Sequence, residues 1–557
     1  MTPRPARFYP FLLAVVPVVH MVAANPGEST IDDLAVTLIT VLVGCGIGYG
    51  LAALVARGRW GKRLPPLVVL AGVLWFWGYV PVVDLVGRRA SPATHLVLFP
   101  LGIAATVGLG WWLLRRPAAL DLVGTFLTLT GGLLVGWSAL SIGMAELRSA
   151  RALRQSMLVR RLAQPIPVRP GAAAGPKRDI YLIILDEYAN AEITRARFGF
   201  DNHAFLDSLR RLGFVVPAVH SNYLHTVLSI PSLLNATQLH DLSRELGSRA
   251  PDPTVPDYLV ENNRTVSFLK SQGYRFAFFP SQWWHSTRHN RHADWEAEVW
   301  DGWNPIRELS RTALRRELRR ASMLDLLQWE AGWNLHGDHV IRTFAAIAQV
   351  PKTPGPVFAF AHLLNPHRPV VFDRDCRPPS RRATGSPSKL GSSYVAQVEC
   401  LDRMVLKLVT TLLRESEVPP VILLQGDHGT KTLRFDTAAT AEAIPVAAAL
   451  ERLGAFGAYY LPDHGTEALG DSVTVVNVLG SVLRYYFGAA LPREPDDMYL
   501  SVTRAPYTLK RVDLAWLARV NSSDSPQHAG STGPRGSWPT GCGNTASSSP
   551  AGRAPSC

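Results

Sequence analysis

A chain of 557 residues exceeds one ordinary domain, and 47% of it is apolar. Its formal net charge is +13, but many of the arginines sit in short loops and beside apolar segments, so nucleic acid is not an expected partner. Five cysteines without a Cys-x-x-Cys spacing exclude a cysteine-built zinc site.

The apolar residues crowd into the first 145 positions as five segments: Tyr9–Ala24, Leu34–Ala56, Pro66–Val86, His95–Leu114 and Leu122–Met144. Most approach the ~20 residues that cross a bilayer as a helix. The first follows Arg4 and Arg7 like a signal peptide, but Ala23-Ala24-Asn25 is a weak cleavage site and four spans follow, so a retained helix is expected. Basic residues in the short loops set the orientation. Arg4 and Arg7, then Arg57, Arg59, Lys62 and Arg63, then Arg115 and Arg116 mark the inside, which puts the chain after five crossings outside. Arg148, Arg151, Arg154, Arg160 and Arg161 oppose this, but a long translocated domain overrides such charges. Those arginines alternate with leucines in either an amphipathic helix on anionic headgroups or a solvated helix joining two domains. The spans are nearly free of charge, which disfavours a transporter.

Residues 164–177 are rich in Pro, Gly and Ala and read as a linker. Beyond it, apolar runs at Asp179–Leu185, Gly213–Val216, Tyr274–Phe279, Val357–His367 and Val421–Leu424 predict buried strands. Helical patterns at Phe205–Leu212, Tyr258–Ser271, Arg307–Arg320 and Tyr394–Leu413 alternate with them, which indicates a layered α/β sandwich. From Asn521 the chain is Ser, Gly and Pro and reads as a disordered tail. Gln282 to His292 is dense in Trp, His and Arg, and either lines a substrate mouth with Trp284 and His285 or packs its own aromatics on a surface loop. Cys376 and Cys400 are compatible with a disulfide in an oxidising exterior.

The richest stretch is Pro420 to Thr430. An apolar strand ends at Gly426 and delivers Asp427 and His428, where open α/β sheets place their ligands. A carboxylate beside an imidazole suits zinc or manganese. A second strand delivers Asp186-Glu187, and a third ends in Asn365-Pro366-His367. Thr226 opens an apolar helical run, where a hydroxyl either caps the helix or serves as a nucleophile beside the positive end of the dipole.

These blocks, Ile183–Asp186, Ser221–Pro231, Asn365–His367 and Gly426–Gly429, resemble the sulfatase-like branch of the alkaline phosphatase superfamily. The membrane-anchored lipoteichoic acid synthases and phosphoethanolamine transferases are the more similar members, and the resemblance covers roughly Asp179 to Ser501. It implies an α-helical membrane domain (1–145), a juxtamembrane helix and linker (146–178), an alkaline-phosphatase-like catalytic α/β sandwich (179–505) and an extension (506–557). It also implies that Asp186, Asp427 and His428 hold a divalent metal ion, zinc or manganese. Thr226 would be both nucleophile and metal ligand, and His367 would be acid, base or contact to the transferring group. Trp284, His285 and Asn222 fall where substrate would bind. The expected reaction is ping-pong movement or hydrolysis of a phospho-substituent on an envelope lipid or polymer outside the cell membrane. The alternatives are a sulfuric ester hydrolase and a catalytically silent envelope-binding domain.

Three departures narrow the resemblance. Asp186-Glu187 leaves the first ligand one residue ambiguous, and Asp186 is preferred because it directly ends the strand. Asn222 and Ser232 stand where the phosphoethanolamine transferases bracket their nucleophile with cysteines. The sulfatase motif Cys-x-Pro-x-Arg has only a near-miss, Cys376 to Arg381, far from the strand–helix junction.

Overall fold

The computed structural model describes residues 8–523 apart from 28, 57–60, 87–91, 171–174, 249, 251, 282–284, 298–311, 325–334, 380–389, 434, 436–437 and 471. Five apolar helices open the chain: α1 (Tyr9–Ala24), α2 (Ile31–Val55), α3 (Leu64–Val86), α4 (Pro92–Arg115) and α5 (Pro117–Gln155). Their starts follow local chemistry. The Thr30 hydroxyl accepts from the Asp33 amide at 3.2 Å, with Asp32 and Asp33 in the first turn of α2, and Pro117 opens α5.

Four of the five, α2 to α5, are long and apolar enough to cross a membrane, and α1 is the shorter one at 16 residues. At a rise of ~1.5 Å per residue, α1 spans about 24 Å against a hydrocarbon core of ~30 Å. Val15, Val18, Val19 and Val22 of α1 are nevertheless buried within the bundle. Gly131 of α5 admits α1 closely, since a Cβ there would lie 3.1 Å from Leu12 Cβ.

Helix α5 continues past residue 145, so the last span and the basic stretch form one rod that breaks only at the extended Ser156. The Ser156 hydroxyl donates to Glu245 at 2.5 Å, and a short helix, α6 (Met157–Leu162), follows. Leu158 and Leu162 are buried against Leu239, Leu242, Val255 and Leu259 while Arg148, Arg151, Arg154, Arg160 and Arg161 stay exposed. Leu158 and Leu162 of this segment therefore meet the following domain, as expected of a joining helix, while Leu147 and Met157 stay exposed.

The outer part is built on a six-stranded sheet in the order β4-β3-β5-β1-β6-β8. The strands are β1 (Ile180–Leu185), β3 (Arg275–Phe279), β4 (Trp295–Glu296), β5 (Val357–Leu363), β6 (Val421–Gln425) and β8 (Gly457–Tyr460). All neighbours are parallel except β6 with β8. All six residues of β1 are buried, as a parallel strand covered on both faces requires. Alternation divides them: Tyr181, Ile183 and Leu185 pack with the helix Leu390–Glu415, and Ile180, Leu182 and Ile184 pack with the helices Thr226–Asn235 and Val475–Phe487. The molecule is thus a bundle of five apolar helices followed by an α/β sandwich.

Smaller sheets join β2 (Ala218–His220) to β7 (Gly454–Ala455) and β9 (Ser472–Thr474), and β10 (Met498–Val502) to β11 (Ala505–Val512). The β10–β11 pair runs across the boundary expected at residue 505. Three local expectations shift. The strand predicted at 213–216 lies at β2 instead, and Val215 makes only an isolated bridge to Tyr459. The helix expected from Tyr258 to Ser271 is two, Thr254–Glu261 and Arg264–Ser271, because Asn263 caps the second through the Val266 amide at 2.9 Å. The basic helix spans Ala313–Arg320, and residues 307–311 lie outside the described residues. Cys376 and Cys400 are disulfide-bonded. The helix Leu514–Ser523 belongs to a separate unit.

Candidate active site

Strands β5, β1 and β6 are parallel neighbours, with Leu185 opposite Leu363 and Ile184 opposite Gln425. Their carboxyl ends therefore meet at one edge, where an open α/β sheet binds its ligand. Asp186 leaves β1 there and Asp427-His428 leaves β6. The ligand atoms of Asp186, Asp427 and His428 lie within 4.8 Å of one another, and all three residues are buried. The sharp exit of β6 needs glycine on both sides. A Cβ on Gly426 would meet the Tyr188 carbonyl oxygen at 2.5 Å, and one on Gly429 would meet that of Glu451 at 2.0 Å.

Thr226 begins the helix Thr226–Asn235, but it is not the capping residue. His225 holds that position, and no side chain caps this terminus. The Thr226 hydroxyl instead lies 2.9 Å from Nε2 of His428, turned toward the cluster. Ser221 and Ser229 are spoken for: both hydroxyls donate to the Asp427 carbonyl oxygen, at 2.7 and 2.6 Å, and so hold the loop that carries the cluster.

Among the described residues, two carboxylate oxygens in the cluster accept no hydrogen bond, Oδ1 of Asp186 and Oδ2 of Asp427. Oδ2 of Asp427 lies only 3.1 Å from Nε2 of His428. A buried carboxylate oxygen without a donor is costly, and a cation between the two would satisfy both. Burial opposes the charge of Asp186, but His367 and the hydrogen-bonding His362 outweigh it and hold its carboxyl well below the usual range. Burial and the neighbouring Asp186 instead drive Asp427 up. Burial and Arg452 push His428 down, which leaves a neutral imidazole. Its Nδ1 lies 3.2 Å from the Gly429 carbonyl oxygen, the arrangement that orients a ligating histidine. Neutral imidazole, ionised carboxylate and orphaned oxygens fit the divalent cation expected at this site.

His367 is brought to the rim. Its side chain is 39% exposed, and Nε2 lies 3.8 Å from Oε1 of Glu187. Asn222 is not at the site: its amide donates to the Asp497 carbonyl oxygen and accepts from the Val476 amide, both at 2.8 Å. It is a buried tie from the Thr226 loop to the start of the helix Val475–Phe487 and to the residue before β10. Trp284 lies outside the described residues, and His285 starts a one-turn 3₁₀ helix, His285–Thr287.

Two neighbours of the cluster carry no sequence signal. Arg452, in the amphipathic helix Val446–Leu453, donates to Nε2 of His428 at 2.8 Å, to Glu187 at 2.5 Å and to the Gly429 carbonyl oxygen at 2.9 Å. It thereby occupies Glu187, which sits at φ +62°, and leaves Asp186 as the β1 carboxylate in the cluster. His362, inside β5, places Nε2 3.4 Å from Oδ2 of Asp186 and Nδ1 2.9 Å from the Thr287 hydroxyl. A histidine in an apolar strand reads as core, and only the strand order makes it a neighbour of Asp186.

Among solved structures, the chain is similar to the C-terminal periplasmic domain of EptC from Escherichia coli, at 11% identity and TM-score 0.42, covering 63% of this chain and 97% of that one. It is also similar to the integral membrane lipooligosaccharide phosphoethanolamine transferase A (EptA) from Neisseria meningitidis, at 14% identity and TM-score 0.37, covering 87% and 94%. A 2-O GAG sulfatase, BT1596, matches at 15% identity and TM-score 0.35, covering 57% and 72%. No curated protein matches the chain. The sulfatase family model matches residues 178–476, more than half of the chain and both strands that bear the cluster, and the chain belongs to the sulfatase family.

Proposed function

We propose that this chain is a membrane-anchored, metal-dependent enzyme that transfers or hydrolyses a phospho-substituent on an envelope lipid or polymer through a covalent threonine intermediate. The observation that carries this reading is the Thr226 hydroxyl, buried at a helix start, not used as a cap, and 2.9 Å from Nε2 of His428. Asp186, Asp427, His428 and Thr226 would hold the cation, zinc or manganese. Bound there, it would supply Lewis acidity, lowering the hydroxyl pKa and offsetting phosphoryl charge.

The free N–H groups at the start of the Thr226 helix favour the phosphoryl oxygens. The Thr226 hydroxyl gives its proton to solvent water, its Oγ1 attacks phosphorus, and the bond to the leaving oxygen breaks with its electron pair; Thr226 takes a proton back from water when it is freed. His367, at the exposed rim, protonates that oxygen and then takes a proton from the acceptor or water that frees Thr226. Arg452 pairs with Glu187 and keeps it out of the cluster. His285 and Trp284 remain the proposed substrate mouth. The catalytic part would face outward, with the N-terminus inside.

Family membership also admits sulfuric ester hydrolysis. The residue at the helix start is threonine, and the one near-miss to the cysteine motif has its Cys376 bonded to Cys400, so the phosphoryl reading is preferred. The test is metal analysis of the full chain, followed by peptide mass spectrometry after exposure to phospholipid donors. A phosphorus-bearing adduct on the Thr226 peptide is expected. A metal-loaded protein that turns over phospholipid or sulfate ester with no adduct on that peptide would overturn the reading.

A further inference from the structure

A cavity of about 580 Å³ lies within the membrane bundle, bounded by Ala14 of α1, Gly44 and Gly48 of α2, and Val69 and Val73 of α3. None of its lining residues belongs to the Asp186 cluster. Its size is that of a ligand pocket, ~300–1,000 Å³, and its membrane walls are mostly apolar, so water has little to bind there. One end is closed by the basic helix Ala313–Arg320, which contributes Arg315, Leu318 and Arg319. That helix is docked on the bundle: Leu314 and Leu318 are buried against Val18 and Val22 of α1, and the Met323 amide donates to the Phe76 carbonyl oxygen at 2.9 Å.

The helix that closes this end is strongly basic. The helix carries Arg315, Arg316, Arg319 and Arg320 against one carboxylate, Glu317. Burial and then the neighbouring guanidinium of Arg320 push Arg316 down to about 10. Arg315 and Arg319 are spaced to share a helix face, and both border the cavity. Guanidinium pairs match the oxygens of a phosphate. Hydrocarbon gains little by moving from lipid into an apolar cavity, so selectivity for an occupant must come from its headgroup.

We propose that this cavity seats an acyl chain of an anionic phospholipid whose phosphate lies against Arg315 and Arg319. The lipid cements the basic helix to α1, α2 and α3, and the assignment is independent of the reaction proposed above.

The test uses the full chain in phosphatidylcholine nanodiscs doped with phosphatidylglycerol carrying a photoreactive acyl chain, or with phosphatidylcholine carrying the same chain. Several-fold stronger labelling by the phosphatidylglycerol probe is expected on the peptides holding Gly44–Gly48 and Val69–Val73. Gly48→Leu should abolish it, because a Cβ there meets nothing nearer than Val69 at 4.0 Å and the added side chain fills the space. Arg315→Gln with Arg319→Gln should equalise the two probes. Equal labelling of the unaltered protein by both probes, or labelling that survives Gly48→Leu, would overturn the proposal. Should the arginine variant misfold, the glycine variant decides alone.

Discussion

At the scale of residues, the site is a set of groups that satisfy one another only in part. Thr226 is turned away from its own helix toward His428, so its replacement tests chemistry more than folding. Thr226→Ser keeps the oxygen and should retain measurable turnover and the covalent adduct. Thr226→Ala should melt within a few degrees of the unaltered protein, because no cap is lost, yet form no adduct and turn over at least about a hundredfold slower. Adduct formation by Thr226→Ala would move the nucleophile elsewhere. A second residue-scale test lies outside the site. Burial raises the Asp402 carboxyl to about 8, and it accepts from the Tyr188 hydroxyl at 2.5 Å. A raised carboxyl favours the folded state while protonated, so its contribution is complete below the unfolded pKa near ~4 and is lost as pH rises toward 8. Asp402→Asn keeps an acceptor for Tyr188 without ionising. Its stability should be flatter than that of the unaltered protein between pH 4 and 8, by an order of a few kcal/mol. Parallel stability profiles from chemical denaturation would refute the assignment.

At the scale of elements, the exit of β6 is the most constrained turn in the site. A Cβ built on Gly429 would overlap the Glu451 carbonyl oxygen and lie 2.7 Å from that of Gly454, so a methyl group there collides with backbone. The Gly429 amide also donates to the Arg452 carbonyl oxygen at 2.8 Å, which locks this turn to the end of the helix Val446–Leu453. Gly429→Ala should destabilise by about 1–3 kcal/mol or more and, by displacing His428, weaken metal uptake. Gly199, at φ +61° with open space around it, is the control: its alanine variant carries only backbone strain and should keep the metal. Thermal melts with metal content on both variants make the comparison, and equal metal loss in the two would sink it. The same element scale joins the site to the membrane. Thr287 bonds His362, the neighbour of Asp186, while Arg288 pairs with Asp33 at the start of α2 at 2.7 Å.

At the scale of the whole molecule, the parity of crossings decides which side the catalytic part faces. Helices α2 to α5 alone would return the chain to the side of its N-terminus, and α1 as a fifth span would separate the two. The burial of α1 within the bundle and the arginines of the short loops favour five crossings. A tag before Tyr9 should then be protected from added protease in intact cells, whereas a reporter joined after Ser523 should be accessible. Both tags on one side would remove α1 as a span.

The sequence by itself determined the apolar helices, the strand runs and the carboxylates and histidines at strand ends, because length, apolar periodicity and a turn residue are local properties. It placed Asp186, Asp427, His428 and Thr226 near the ends of elements, where the tertiary structure gathers them. Local patterns report burial and not partners, so the rest waited for the fold. Arg452 reads as a surface residue of an amphipathic helix and His362 as core, yet each borders a cluster residue once distant strands pair. Asn222 reads as a site residue, yet its side-chain amide is committed to backbone groups 254 and 275 residues away. Thr226 reads equally as cap or nucleophile until His225 is seen to hold the cap position and His428, 202 residues on, to face its hydroxyl.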